Sequence, residues 1–330
     1  MSPEAFAQVS NLVIPTATVI YALAMISHAF EWAMSRSLER VVVADPANVL
    51  VAAGSAGAAE VVVPASGADA PSTGASKSEA ASRIGLLLTY LAFVLHLVGV
   101  VTRGLAAGRV PWGNMYEFSI TTSLAVAVVY LLCVHRYKVQ WIGLGVTVVL
   151  AAVLGLATLT LYTPAGPLVP ALHSYWLVIH VSAAAISGGA FTIGGLVSVL
   201  YLVKSKAERR VLEGGAAMPE SLRRLPSSEA MDGTAYKVLA FAFPLWTFGV
   251  LVAGPIWAEY AWGRYWGWDP KEVWALVTWV VYAAYLHARA TAGWRGSRAA
   301  KIAIVGWFVF IFDFVVVNLL VSGMHSYAGI

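Results

Sequence analysis

Only one cysteine, Cys133, occurs among 330 residues. The chain therefore has no internal disulfide, no cysteine-pair metal site and no dithiol with which to act alone as a thiol reductase. The C-x-x-C-H pattern that fastens heme covalently to a polypeptide is also absent, which excludes a c-type cytochrome. Charge is scarce as well. Asp, Glu, Lys and Arg make up 12% of the residues and hydrophobic types 59%, too little polar surface for an ordinary soluble domain. What the chain has instead is long apolar runs, and it reads as an integral membrane protein.

A helix needs roughly 20 mainly apolar residues to cross a bilayer. Runs of that kind lie near residues 12–33, 84–103, 118–134, 141–162, 174–203, 236–253, 273–292 and 300–322. The expected fold is all-α: a polytopic transmembrane helical bundle of about eight spans with a short tryptophan-rich outward loop. The first run has neither a basic n-region nor a small-residue cleavage site, so it is expected to remain as a helix. Residues 1–40 then form the first span, 41–82 a disordered Ala/Gly/Ser-rich cytoplasmic linker, and 83–330 the main transmembrane domain. A second polar loop, 204–234, is expected to carry a short helix near residues 219–225.

Cytoplasmic loops retain Lys and Arg. With the N-terminus outside, only Arg103, Arg109, Arg264 and Lys271 of the 21 basic residues fall on the outer side. Orientation in lipid, not nucleic acid, thus accounts for the net charge of +4. The expected location is the plasma (inner) membrane, with the tryptophan-rich loop and the C-terminus extracytoplasmic. Three outward loops, 108–118, 163–176 and 254–272, are short and aromatic. Trp112, Tyr116, Trp176 and Trp257 in them read as anchors at the headgroup boundary.

Residues 262–274 read WGRYWGWDPKEVW. An interfacial aromatic belt is the plainest account of the tryptophans. Part of the charge is structural too, with Asp269 as a helix N-cap, Pro270 at the first helical position and Glu272 in the first turn. Neither explains why Trp262, Trp266, Trp268 and Trp274 gather around Gly263 and Gly267, whose missing side chains admit a planar ligand to the backbone. Heme b is the expected ligand, with Arg264 and Lys271 available to its propionates. Two histidines fall at the same outward boundary: His180 in the first two turns of the fifth span and His325 just past the eighth. Singly, each reads as a solvated or hydrogen-bonded helix-end histidine; as a pair they suit the two axial positions of a low-spin iron. His287, in the inner half of the seventh span, is a functional candidate by its depth, as is His96 in the second. His173 sits in an outer loop, and His28 and His135 near the inner surface. Asp313 and Asn318 are expected to face the bundle interior.

The string WGxYWxWDPKExW is complete at 262–274, and its WALVTWxxYAxYLHxR continuation runs to Arg289. GRVPWGNMYEF from Gly108, LVPALHSYWLVIHV at 168–181 and SGMHSYA around His325 accompany it. On these motifs the chain, from the second span onward, resembles the CcsA/ResC branch of the heme-handling superfamily of cytochrome c maturation, related to CcmC and CcmF. The resemblance implies that His180 and His325 are external axial ligands beneath the tryptophan-rich segment. It implies that His287 ligates a second heme position inside the bilayer, facing a histidine on a companion CcsB/ResB-type subunit. It further implies heme delivery to apocytochrome c for thioether formation, a thioredoxin-like thiol reductant, and a heme lyase-like synthase complex in which this chain alone is inactive. A cytochrome b-type electron-transfer membrane subunit and a heme-free transporter of hydrophobic anions are the other classes compatible with these residues.

Overall fold

Helix boundaries in this chain are set by caps and by two local changes of helical pitch. In the computed structural model, which describes residues 1–43, 73–168 and 170–326, α1 (Pro3–Val43) and α2 (Thr73–Ala107) pack as an antiparallel pair. Ser10 and Ser27 on α1 donate to the carbonyls of Gly99 and Ala81 on α2. α3 (Met115–Tyr137) starts at Asn114, whose side chain accepts the Glu117 N–H, and stops at Lys138 in the left-handed region. α4 (Gly143–Thr160) lies against α1 and α3. α5 (Tyr175–Leu212), capped by Ser174, is the central helix and touches α3 and the helices at 228–248 and 297–311. The expected short helix in the polar loop is α6 (Glu220–Arg223).

α7 (Ser228–Phe248) does not end where the sixth apolar run ends. It widens into a π turn (Gly249–Ala253) and continues as α8 (Gly254–Trp262). The Gly254-Pro255 pair reads as a breaker, yet a proline at the start of a helical segment lacks only an N–H with no obligatory partner there. The outward loop therefore shrinks from the expected 254–272 to the stretch between Trp262 and α9 (Pro270–Ala290). α10 (Ser297–Ile311), a second π turn (Phe312–Val317) and α11 (Asn318–Leu320) follow.

Among the described residues, seven helical segments are long and apolar enough to cross a membrane: Pro3–Met34, Lys77–Ala107, Met115–Tyr137, Gln140–Thr160, Tyr175–Leu212, Ser228–Trp262 and Ser297–Leu320. The all-α polytopic bundle stands. The expected seventh span differs, because it falls in α9, whose 21 residues suffice in length but carry Lys271, Glu272, His287 and Arg289. α9 nevertheless runs from the Asp269 end, beside His325, to the opposite end, where Arg289 pairs with Asp232 at the start of α7. It is packed against α10 and α7. Of the expected linker 41–82, both flanks are helical, since α1 reaches Val43 and α2 begins at Thr73; residues 44–72 lie outside the described residues.

The core gathers on an aromatic hub. Phe191 of α5 stacks closely on Tyr282 of α9 (3.9 Å, 8°) and meets Trp246 of α7 and Phe310 of α10 edge-on, the latter an arrangement that aromatic quadrupoles favour. Small residues let helices close on this hub, the usual solution where lipid gives no hydrophobic drive between spans. At Gly189 the approach is backbone to backbone: an added Cβ would lie 3.0 Å from the Ala125 carbonyl oxygen and 3.1 Å from its carbon. Gly189→Val should therefore force α3 and α5 apart and cost about 1–3 kcal/mol, read as a lowered thermal unfolding midpoint in detergent. An unchanged midpoint would mean that this contact is looser than the geometry indicates.

Candidate functional site

One end of the bundle brings together the start of α5, the π turn and α8, the start of α9, the end of α10–α11 and the loops before α3 and α5. His180 and His325 meet there. His180, in the second turn of α5, directs Nδ1 at the Gly249 carbonyl oxygen, 2.7 Å away. That oxygen belongs to the first residue of the π turn, whose wide pitch sends the Gly254 N–H to it as well. A carbonyl only accepts, so Nδ1 carries the proton and Nε2 keeps its lone pair. His325, beyond α11, is held in the same way by a carboxylate: Nδ1 lies 2.7 Å from Asp269 Oδ2. Each ring thus uses Nδ1 on an acceptor, and among the described residues neither Nε2 makes a protein hydrogen bond. This is the arrangement by which proteins orient imidazoles toward a metal.

Trp257 stands between the two. Its ring is parallel to His180 (5.8 Å, 10°) and edge-on to His325 (5.5 Å, 62°), so the two imidazole centroids are no farther apart than the sum of those distances. The reading of Trp257, Trp112 and Tyr116 as headgroup anchors is corrected here: they are 2%, 6% and 1% exposed. Trp112 and Trp257 form a buried cluster with Leu172, Leu177 and Val181. Their polar atoms do not seek the interface; the Trp257 indole N–H goes to the Ala171 carbonyl, 3.0 Å away. Below the histidines lies a cavity of about 140 Å³ lined by His180, His325, Trp246, Trp266, Phe310 and Asp313, among others.

Asp269 is the joint of the site. It caps α9 as the DPKE pattern leads one to expect, in a reciprocal box with Glu272. The same carboxylate accepts the Met324 N–H on Oδ1 (2.6 Å) and His325 Nδ1 on Oδ2, so it fastens the C-terminal turn as well. Burial pushes its pKa up, but the hydrogen bonds from His325, Met324 and Lys271 outweigh that and hold it below the usual carboxylate value. Gly323 makes the approach possible, since a Cβ there would lie 2.5 Å from Asp269 Oδ1. The second set of bonds spans more than fifty residues, and no local pattern announces it.

The remaining expected residues are distributed unevenly. Trp262 is edge-on to both Trp257 (4.8 Å) and His325 (4.8 Å). Trp266 lines the cavity and meets Trp268 at 5.9 Å, while Trp268 is 71% exposed on a left-handed backbone, φ 57°. Trp274 packs on Phe312 at the second π turn. Gly263 terminates α8 with φ 69°, and Gly267 lies under the Arg264 guanidinium. Arg264 rests on the Met324 sulfur at 2.5 Å. Lys271 is turned inward onto Asp313, with Nζ 3.3 Å from Oδ2 and 2.9 Å from the main-chain oxygen. Asp313 is 1% exposed and its Oδ1 has no hydrogen-bond partner. His287 is separate from this group; it lies on the outer face of α9 toward the far end and is exposed. His96 is fully buried and bonded to the Ile120 carbonyl.

Sequence reasoning missed Glu117 and Gly323, whereas Asp313 faces the bundle interior as expected. Glu117 is completely buried on α3 and accepts from Arg103 (2.9 Å), Arg109 (2.7 Å) and the Gly113 N–H (2.7 Å). Its signal was available: one acid beside two of the four basic residues assigned to the outer side. Among the described residues no group of three or more His, Cys, Asp or Glu could hold a bare metal ion. Two imidazoles suffice for an iron whose other four positions a porphyrin fills.

Residues 112–325 match the family described as Cytochrome C assembly protein. The chain is 38% identical over 259 residues to the cytochrome c biogenesis protein CcsA of Guillardia theta, covering 74% of this chain and 85% of that relative. It is 33% identical over 296 residues to CcsA of Synechococcus sp. (strain JA-3-3Ab), covering 75% and 84%. To CcsA of Porphyra purpurea it is 35% identical over 279 residues, covering 74% and 87%.

Proposed function

Because this chain belongs to the cytochrome c assembly protein family and has a role in cytochrome c biogenesis, we propose that it holds heme b between His180 and His325. There it presents the heme to apocytochrome c for thioether attachment. The observation that carries this reading is the pair of imidazoles on one cavity, each with Nδ1 fixed by an acceptor and Nε2 not engaged in a protein hydrogen bond among the described residues. The donor set suits an iron porphyrin, and the walls suit its ring: Trp257 and Trp262 at the histidines and Trp266 at the cavity, whereas Gly267 is covered by Arg264 and does not line it.

Heme supplies the vinyl groups that react with the acceptor's C-x-x-C-H cysteines. The chain's own residues bind, orient and shelter. His325 sits on a short turn held through Asp269 and is the ligand better placed to give way to an acceptor histidine; His180, anchored in α5, retains the cargo. The tryptophan-rich segment and the C-terminus belong on the extracytoplasmic side of the plasma membrane. The sparse basic residues at this end support that placement, since Arg103, Arg109 and Lys271 all sit in ion pairs. His287, exposed on α9, is the candidate ligand for a second heme position shared with a CcsB/ResB-type membrane subunit. A thioredoxin-like reductant keeps the acceptor thiols reduced, a task the buried Cys133 cannot perform.

Purification with and without the companion subunit, with heme counted per chain, tests the reading. The expected result is a low-spin bis-imidazole absorption spectrum and restored cytochrome c maturation in a strain lacking the gene. A heme-free chain that still restores maturation sinks it. A finer prediction concerns Asp269: Asp269→Asn keeps a capping side chain but loses the charge that holds His325 Nδ1. Heme affinity should fall about 10–100-fold with helix content unchanged, as measured by hemin titration and circular dichroism.

A further inference from the structure

We propose that Glu117 is a positioning residue for the histidine pair, acting at a distance through the 163–174 loop and Trp257. The proposal rests on reading His180 and His325 as the ligand pair, and it concerns what keeps their shared tryptophan in place.

The loop between α4 and α5 contains Pro164, Pro167 and Pro170 within seven residues. Proline offers no N–H, so apart from a single 3-10 turn at Pro170–Leu172 the loop has few bonds of its own to define its path. Two guanidinium groups define it instead. Arg103 donates to the Thr163 carbonyl at 2.5 Å and Arg109 to the Gly166 carbonyl at 3.0 Å. Both arginines are aimed by one carboxylate: Glu117 takes Arg103 Nε on Oε1 and Arg109 on Oε2. Arg103 and Glu117 are 1% and 0% exposed, so neither can swing out to water without opening the bundle.

At its far end the same loop presents the Ala171 carbonyl to the Trp257 indole N–H and packs Leu172 against Trp257. Trp112, on the loop that Glu117 itself caps through the Gly113 N–H, completes that packing. Trp257 in turn contacts both imidazoles. Hydrogen bonds fix the loop at Thr163, Gly166 and Ala171, and ring contacts carry on from Trp257, so the buried acid is joined through the loop's backbone to the two candidate ligands, although Glu117 touches neither.

The test uses the full chain in detergent, without heme for the first readout. The rate at which diethyl pyrocarbonate modifies His325 is followed by mass spectrometry, with exposed His135 at the opposite end as the internal control. Glu117→Gln should raise the His325 rate about tenfold, the equivalent of one charge-assisted hydrogen bond, and Glu117→Asp should restore part of the protection. Trp257→Phe removes the last link, the bond to Ala171, without disturbing the buried ion pairs. It should reproduce the change even where Glu117→Gln fails to fold. In heme-loaded protein the same variants should shift the electron paramagnetic resonance signature, which reports imidazole orientation. Equal changes at His325 and His135 would indicate general loosening and overturn the proposal, as would a wild-type rate in Trp257→Phe. A chain that takes up no heme yet shows the footprint pattern overturns the ligand reading and leaves the positioning role standing. A chain that binds heme with a footprint indifferent to these variants overturns the positioning role alone.

Discussion

Replacing either imidazole should abolish the six-coordinate signature. In His180→Ala and in His325→Ala, heme affinity is expected to fall on the order of 100-fold or more, beyond the loss produced by disturbing a ligand's hydrogen-bonding partner. The residual complex should be high-spin. The two losses should differ in reversibility. His325 stands at the partly exposed rim, its side chain 18% accessible, and its turn is attached chiefly through Asp269. Added imidazole should therefore enter the gap in His325→Gly and restore the low-spin spectrum. His180 lies against Trp257 and Gly254, where a Cβ on that glycine would come within 3.1 Å of its Nδ1, so His180→Gly should respond less. Absorption spectra of purified variants with and without imidazole decide the matter. Retention of the wild-type spectrum in either alanine variant would remove that residue from the ligand pair.

The second large effect is on stability. Glu117→Ala leaves Arg103 buried with no carboxylate, and Arg109 loses its counter-ion too. Breaking a buried pair from one side costs about 3–5 kcal/mol, because the remaining charge stays desolvated. The unfolding midpoint in detergent should drop sharply, and Arg103→Ala combined with Glu117→Ala should be less damaged than the sum of the two single variants. Arg83 and Glu79 form the control: that pair is 76% and 65% exposed, and its removal should leave the midpoint where it was. Equal effects at the two pairs would show that burial is not what gives the Glu117 cluster its weight.

Much of this architecture was legible from residues because length and apolarity are local properties. The helical bundle, α6, the capping role of Asp269 and the gathering of basic residues toward one end all follow from short windows of sequence. α9 was expected as a span near 273–292 and is a helix there, but its polar ends leave it less apolar than the seven other segments, although its middle packs on α7 and α10. Trp257 was misread. An amphipathic ring beside a predicted interface fits a headgroup anchor, and only the fold reveals that Ala171 and two histidines surround it. The outward loop was drawn too long because a Gly-Pro pair marks a helix start as readily as a stop. The Glu117 network was within reach: once the outer side is assigned so few cations, an acid shortly after two of them asks for partners. What sequence spacing could not supply was the distance from Asp269 to His325.

The two π turns have a consequence for how this protein tolerates insertion and deletion. Each is a helix carrying one residue more than regular winding would use, and each borders the cavity, one offering the Gly249 carbonyl and the other Asp313. Such widened turns concentrate at functional sites. Deleting a single residue from either would tidy the helix into ordinary winding with the flanking turns still in phase, and would withdraw the carbonyl or carboxylate that the bulge turns toward the cavity. Chain length in these two short stretches is therefore expected to be held more strictly than the identity of most of the side chains they carry.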